Sequence, residues 1–126
     1  MKQIHTDKAP AAVGPYSQAV VSGGLVYTSG QIAINPATNT VEADTIQAQT
    51  EQVMQNLGAV LEAAGSSYAD AVKTTCFLAD MNDFAAFNEI YGKYFTALPA
   101  RSCVAVKTLP KNVLVEVEVI AEVSAQ

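Results

Sequence analysis

Apolar and polar residues alternate over several short stretches of the chain, which is the pattern of half-buried β-strands. Two of these stretches meet at Gly23-Gly24, a pair that favours a tight hairpin turn. The alternation predicts two strands within residues 19–31 and one strand each at 72–79, about 101–106 and about 113–122.

A period of 3.6 residues replaces the alternation in two places, and each place predicts an amphipathic helix. The first helix begins near Asp44, with Gln47 as a capping-box partner, and ends at Gly65. Asn82 is the predicted cap of the second helix. The apolar stripe of that helix is aromatic and consists of Phe84, Phe87, Tyr91 and Phe95. The order strands, helix, strand, helix, strands predicts a two-layer α+β domain with two helices on one face of a mixed sheet.

Strand parity assigns side chains to the two faces of this sheet. In the last strand an apolar row is predicted to lie under the helices, namely Val113, Val115, Val117 and Val119. Val104 and Val106 of the preceding strand are grouped with that row. Arg101 and Cys103 are therefore expected to point towards the face that has no helices.

If the last two strands are neighbours, Cys103 lies near Glu116 and Arg101 lies near Glu118. One interpretation is a solvated face with a cross-strand ion pair, worth about 0.2–1 kcal/mol. The other is a covered and partly dry face, which Leu114 and Ile120 in the same row favour. Both interpretations stay open on parity alone.

Asn88 interrupts the aromatic stripe of the second helix, four residues after Phe84 and three before Tyr91. A buried amide that hydrogen-bonds a nearby backbone group explains this position. An amide presented to a pocket explains it equally well.

The composition of the 126 residues predicts one domain, spanning 1–126, that does not cover all of its own surface. Charged residues make up 15% and apolar residues 50%, whereas a typical charged fraction is about 25%. This shortage of charge indicates a surface that is buried between subunits. The net charge of −5, without a basic patch, argues against nucleic acid as a partner.

Several kinds of chemistry lack their usual residues. Two cysteines are too few for a disulfide framework, and a single histidine leaves no metal-ligand set and no base for a Ser or Cys nucleophile. No stretch near the start has the length of a signal peptide, and no spanning helix follows. We therefore expect a cytoplasmic protein without a metal, a cofactor or a membrane partner.

Four motifs together resemble the reactive-intermediate deaminase family (RidA, formerly YjgF), and more specifically its RidA branch. They are APAAVGPYSQAV, YTSGQIAINP, LADMNDFAAFNEIY and PARSCVAVKTLPKNVLVEVEVIA, and they span almost the whole chain in the family's order. The resemblance implies a chorismate-mutase-like two-layer sandwich with a six-stranded sheet. It also implies a homotrimer in which the sheets meet at the centre and active sites lie between subunits.

The resemblance further implies hydrolysis of 2-aminoacrylate/2-iminopropanoate and 2-iminobutanoate to 2-keto acids and ammonia. By matching position, Arg101 would bind the substrate carboxylate, and Glu116 would activate or orient the attacking water. Five positions would line the cleft: Tyr16, Ser29, Gly30, Asn88 and Cys103, with Tyr16 reaching across a subunit boundary. Such chemistry needs no cofactor, because an imine is already electrophilic. The segment YFTALP before Arg101 is shorter than in some members, which leaves the substrate size open.

Two other functions stay open beside the deaminase. A chaperone-like or regulatory protein could use the same arginine simply to bind a keto acid. An RNA-cleaving translation inhibitor, reported for some relatives, fits poorly with the net charge of −5. The fold alone does not decide between these classes.

Overall fold

A computed structural model describes residues 1–124, so the last two residues of the predicted 1–126 domain lie outside this range. The main sheet contains six strands within those residues: β1 (Lys2–Ile4), β2 (Ala19–Ser22), β3 (Leu25–Thr28), β6 (Ala71–Leu78), β7 (Ala100–Ala105) and β8 (Val115–Glu122). A small separate hairpin consists of β4 (Ile34–Asn35) and β5 (Thr40–Val41). The sequence pattern missed β1 and this hairpin, because two or three residues are too few to show an alternation.

The strand order in the main sheet is β1-β2-β3-β8-β6-β7. Only β6 and β7 of these strands run parallel to each other, and the remaining described pairs are antiparallel, so the predicted mixed six-stranded sheet is confirmed. The expectation that the last two strands are neighbours is wrong, because β6 lies between β7 and β8. β7 is instead an edge strand of the described sheet.

Two helices, α1 (Ile46–Ala63) and α2 (Phe84–Tyr94), pack on one face of the sheet. Helix α1 is capped by Thr45, whose hydroxyl accepts a hydrogen bond from the Ala48 amide, and not by the predicted Asp44. The predicted cap of α2 is also wrong. A short 3₁₀ turn (Met81–Asp83) precedes that helix, and Asp80 accepts from the Asn82 amide at the start of the turn.

The core lies between the helices and one face of the sheet. The predicted valine row is confirmed, since Val115, Val117 and Val119 of β8 are buried, as is Val113 just before the strand. Phe87 and Phe95 from the aromatic stripe are almost completely buried as well. No helix within residues 1–124 is long and apolar enough to cross a membrane.

The opposite face of the sheet carries no helix and presents both apolar and charged side chains. Register places Glu116 opposite Phe77, Glu118 opposite Thr75 and Ile120 opposite Tyr27 on this face. We call it the open face. Tyr27 remains 40% exposed there, which is unusual for a tyrosine in the middle of a sheet.

Candidate functional site

Arg101 lies on the helix side of the sheet and not on the open face. Its register partner in β6 is Thr74, which is completely buried beneath α2. Val104, which was grouped with the core, is 47% exposed. Parity was therefore assigned the wrong way round in β7. The reason is that on this edge strand the apolar residue faces outward while the arginine packs against α2.

The second helix holds the Arg101 guanidinium from three directions. Nη1 donates a hydrogen bond to Asn88 Oδ1 at 2.7 Å. The Cζ atom lies 4.8 Å from the centre of the Tyr91 ring and 5.4 Å from that of Phe84. Rings within about 6 Å attract a guanidinium through their quadrupoles, so these contacts favour one side-chain position.

Tyr91 is itself fixed from below, because its hydroxyl and the buried Thr74 hydroxyl are 2.7 Å apart. Its helical spacing among other aromatic residues predicted only a core role, since such a stripe is usually core. The structure shows that it is also a wall of the arginine cleft. Burial raises the pKa of the Tyr91 phenol, so the ring stays neutral beside the arginine.

A cleft of about 350 Å³ opens above Arg101 between α2 and the segment that precedes β7. Asn88 and Pro99 are part of its wall. Within residues 1–124 the single basic–acidic contact at salt-bridge distance is between His5 and Asp7, so Arg101 has no carboxylate partner of its own. A guanidinium has five N–H donors, and the bond to Asn88 leaves several available for an anion.

Glu116 lies on the open face and lines a different pocket, of about 180 Å³, together with Tyr16 and Gly30. Burial raises the pKa of the Glu116 carboxyl, and the nearby charge of Glu118 raises it further. Gly30 touches the carboxylate so closely that a Cβ atom at this position would overlap with it. Position 30 therefore determines where this carboxylate can lie.

The loop that carries Tyr16 is anchored by Gln18, whose side chain is almost completely buried. The Gln18 Oε1 atom accepts a hydrogen bond from the Thr6 amide at 2.7 Å. Its Nε2 atom donates to the Thr6 carbonyl at 3.0 Å and to the Pro10 carbonyl at 2.8 Å. Ser29 Oγ donates to the Ser17 carbonyl at 2.6 Å, which ties the loop to the segment containing Gly30. Tyr16 itself is 53% exposed, so its side chain is free to meet another molecule.

Lys111 is a pocket residue that the sequence reasoning missed. It and Asn112 are consecutive non-glycine residues with positive φ, at 56° and 55°. Such a conformation costs on the order of 1–3 kcal/mol per residue and is often kept at functional sites. The segment KTLPKN does not predict a positive φ at Lys111, because among its residues only Asn commonly adopts this conformation.

The predicted site residues thus fall into two groups. Arg101, Asn88 and Cys103 form the arginine group on the helix side, where Cys103 pairs in register with Cys76 of β6. The second set is the glutamate group, formed by Tyr16, Ser29, Gly30 and Glu116. The expected proximity of Cys103 to Glu116 and of Arg101 to Glu118 is wrong, since the members of each pair lie on opposite faces of the sheet. Within residues 1–124, no cluster of three His, Cys, Asp or Glu side chains could hold a metal ion.

A family model described as Endoribonuclease L-PSP matches residues 6–123. The chain is 51% identical over 124 residues to an Escherichia coli K12 protein named 2-iminobutanoate/2-iminopropanoate deaminase, and the match covers 95% of this chain and 96% of the relative. It is 53% identical over 126 residues to a Lactococcus lactis protein named as a proposed regulator, AldR, covering 99% and 100% of the two chains.

Solved structures agree with the fold. The crystal structure of TdcF from Escherichia coli with bound serine superposes with a TM-score of 0.92 at 45% identity. The superposition covers 98% of this chain and all of that chain. An identity of this size shows more than a shared fold, since it extends over almost the whole length of both proteins.

Proposed function

Because the chain belongs to the Endoribonuclease L-PSP family, as its motifs predicted, we propose that it is a hydrolytic deaminase of 2-imino and 2-enamine acids. Its substrates in this proposal are 2-aminoacrylate/2-iminopropanoate and 2-iminobutanoate. The products are the corresponding 2-keto acids and ammonia. The main observation in support is an arginine that is held by α2, lacks a carboxylate partner within residues 1–124 and borders a small cleft.

The substrate carboxylate binds to Arg101 in this proposal. A planar guanidinium forms two parallel hydrogen bonds with a carboxylate, and a lysine cannot reproduce that geometry. The Asn88 oxygen and the two aromatic rings orient the guanidinium before the substrate arrives. Serine, the ligand bound to TdcF in its crystal structure, likewise carries a carboxylate next to a carbon that bears nitrogen.

The carboxylate of Glu116 accepts a proton from the attacking water. Water adds to C2 of the imine while a proton reaches the nitrogen. The C–N bond then breaks, ammonia leaves, and C2 becomes the carbonyl carbon of the keto acid. A raised pKa makes Glu116 a stronger base than an ordinary glutamate, and one such group contributes about 10²–10⁴-fold in rate.

One chain cannot bring Arg101 and Glu116 to the same substrate, because they lie on opposite faces of the sheet. We therefore propose a homotrimer in which each cleft takes its arginine group from one protomer and its glutamate group from the neighbour. The exposed Tyr27 and Val104 and the low charge content support contact between open faces. Sedimentation of a stable monomer at micromolar concentration, and not of a species near three times 13.2 kDa, would contradict this assembly.

The activity is tested by generating 2-aminoacrylate in solution with a serine dehydratase. We expect the protein to accelerate the release of pyruvate and ammonia, and Glu116→Gln to remove most of that acceleration. A rate of pyruvate release that is the same with and without the wild-type protein would reject the deaminase.

A ligand-binding regulator is the second candidate, favoured by the name of the Lactococcus lactis relative. Such a protein would use Arg101 to bind a keto acid without turnover. Calorimetric titration with 2-ketobutyrate distinguishes the two functions when it is combined with the rate assay. Binding without any acceleration would favour the regulator.

A further inference from the structure

The two cysteines of the chain are direct neighbours across two strands. Cys76 of β6 and Cys103 of β7 are register partners. Neighbouring strands lie about 4.8 Å apart, and a disulfide accepts Cα separations of about 4.4–6.8 Å. Both side chains point to the helix side, since each lies two residues after Thr74 or Arg101 on its own strand. The two thiols therefore lie side by side, and the Cys76 thiol donates a hydrogen bond to the Thr74 hydroxyl at 4.0 Å.

The two thiols differ in access. Cys76 is completely buried, whereas Cys103 is half-buried and lies two residues after Arg101 on the same side of β7. An oxidant in solution therefore meets Cys103 before Cys76, and Cys76 is the register neighbour of Cys103. This arrangement of one accessible and one buried sulfur is what a sensing and a resolving cysteine need.

We propose that Cys103 and Cys76 form a reversible disulfide between β7 and β6, on the helix side of the sheet, when the protein meets hydrogen peroxide. The Cys103 thiolate attacks the peroxide, its O–O bond breaks, and a sulfenic acid and water are produced. The Cys76 sulfur then attacks the sulfenic sulfur and displaces a second water. Two thiols and one peroxide thus give one disulfide and two waters. The inference does not rest on the deaminase activity.

Arg101 favours the first of these steps. The pKa of the Cys103 thiol is raised by burial, and the nearby arginine charge offsets only part of that rise. Burial raises the pKa of Cys76 more strongly, to about 12, so Cys76 is the less reactive thiol towards peroxide. Solvent access and pKa therefore both predict that Cys103 reacts with peroxide before Cys76 does.

The disulfide is expected to be easily reduced. A relaxed disulfide keeps its Cβ atoms about 3.8 Å apart, which is less than the spacing of about 4.8 Å between neighbouring strands. The strands must therefore move together to form the bond. Strain of this kind makes a disulfide easier to reduce, which is a property of reversible regulatory disulfides.

The test exposes the reduced full-length protein to hydrogen peroxide and follows its intact mass and its free thiols. We expect a loss of about 2 Da per chain, a fall from two free thiols to none, and full reversal by dithiothreitol. A peptide map should place the bond within one chain. Oxygen adducts alone, a bond between two chains, or two unchanged thiols would each overturn the inference.

Two variants separate the roles of the thiols. Cys76→Val keeps an apolar residue of similar size in the strand, so its Cys103 should give a sulfenic acid that dimedone traps and excess peroxide oxidises irreversibly. Cys103→Ser should leave Cys76 at least ten-fold slower to react than Cys103 in the wild type. If Cys76→Val recovers with dithiothreitol as fully as the wild type, Cys76 is not the resolving thiol.

Discussion

In the proposed site, Arg101 is held in place before any ligand binds. Its guanidinium lies against two rings and one amide oxygen, and all three belong to α2. A charge that only improved solubility would have no need of these contacts. The side chain has thus already lost its rotamer freedom in the folded protein. Binding of a carboxylate therefore costs less side-chain entropy.

We predict that Arg101→Ala lowers kcat/KM for imine hydrolysis by about 10²-fold or more, since two charge-assisted hydrogen bonds are lost. Arg101→Lys should recover less than about ten-fold of that loss, because a point charge lacks the two-pronged geometry. Both variants should stay folded and trimeric by sedimentation. A folded Arg101→Ala trimer with normal kinetics would remove Arg101 from the site.

Tyr91 is expected to act as a positioning residue through Arg101. Tyr91→Phe keeps the ring but leaves the buried Thr74 hydroxyl with only the Cys76 thiol, at 4.0 Å, as a partner, so stability should fall by about 1–3 kcal/mol while KM stays near wild type. Tyr91→Leu removes the ring and should raise KM as well. Denaturant titration and steady-state kinetics check both effects. An unchanged KM in the leucine variant would show that the ring does not position the arginine.

Glu116 gives the predicted pH dependence. Its pKa is raised, and the base must be deprotonated, so activity should decline at a higher pH on acidification than an ordinary glutamate would allow. Glu118→Gln removes the like charge that contributes to this shift, which should move the decline to lower pH. Glu122→Gln makes the same change in net charge at an exposed position further along the strand and should leave the profile unchanged. Equal profiles for the Glu118→Gln and wild-type enzymes would contradict the coupling.

At the scale of elements, the sequence pattern predicted the buried face of a strand correctly where neighbouring elements cover that face. The row in β8 alternates cleanly because it lies in the middle of the sheet, under α1. β7 misled the same reasoning, since an edge strand can expose Val104 and hold the half-buried Arg101 against the aromatic rings of α2. Parity assigns a strand's side chains to the two faces only after one residue has been placed on a face. In β7 that residue was Val104, which was wrongly placed on the helix side.

The segment between β3 and the small hairpin positions the Glu116 carboxylate through Gly30. The φ angle of Gly30 is not in the left-handed region, so the Gly30→Ala variant should fold. The added methyl group overlaps the Glu116 carboxylate and must displace it. A displacement near 1 Å costs about 10²-fold in rate. We expect this loss in kcat with little change in thermal midpoint.

The control for Gly30→Ala is a double variant. If the methyl acts only through the carboxylate, Gly30→Ala combined with Glu116→Gln should be no slower than Glu116→Gln alone. Additive losses would mean that Gly30 acts through some other contact, such as the loop that carries Tyr16.

At the scale of the whole molecule, the sequence predicted the two-layer α+β fold but not how the site residues are distributed over it. Local patterns give elements and faces, and motif resemblance gave the six-stranded sheet. The strand order depends on contacts distant in sequence, in particular on β6 lying between β7 and β8. Because of this strand order, Arg101 was wrongly expected near Glu118, and because of the misassigned parity of β7 it was wrongly expected on the same face as Glu116.

This separation makes the central claim testable by mixing two inactive chains. Arg101→Ala and Glu116→Gln protomers each lack one group, so neither forms a complete cleft alone. In trimers assembled at random from equal amounts, roughly a quarter of the subunit contacts should pair an intact arginine with an intact glutamate. Co-expressed chains should then regain about a quarter of the wild-type rate. A mixture confirmed as heterotrimeric by mass spectrometry that stays as inactive as its components would contradict a site shared between subunits.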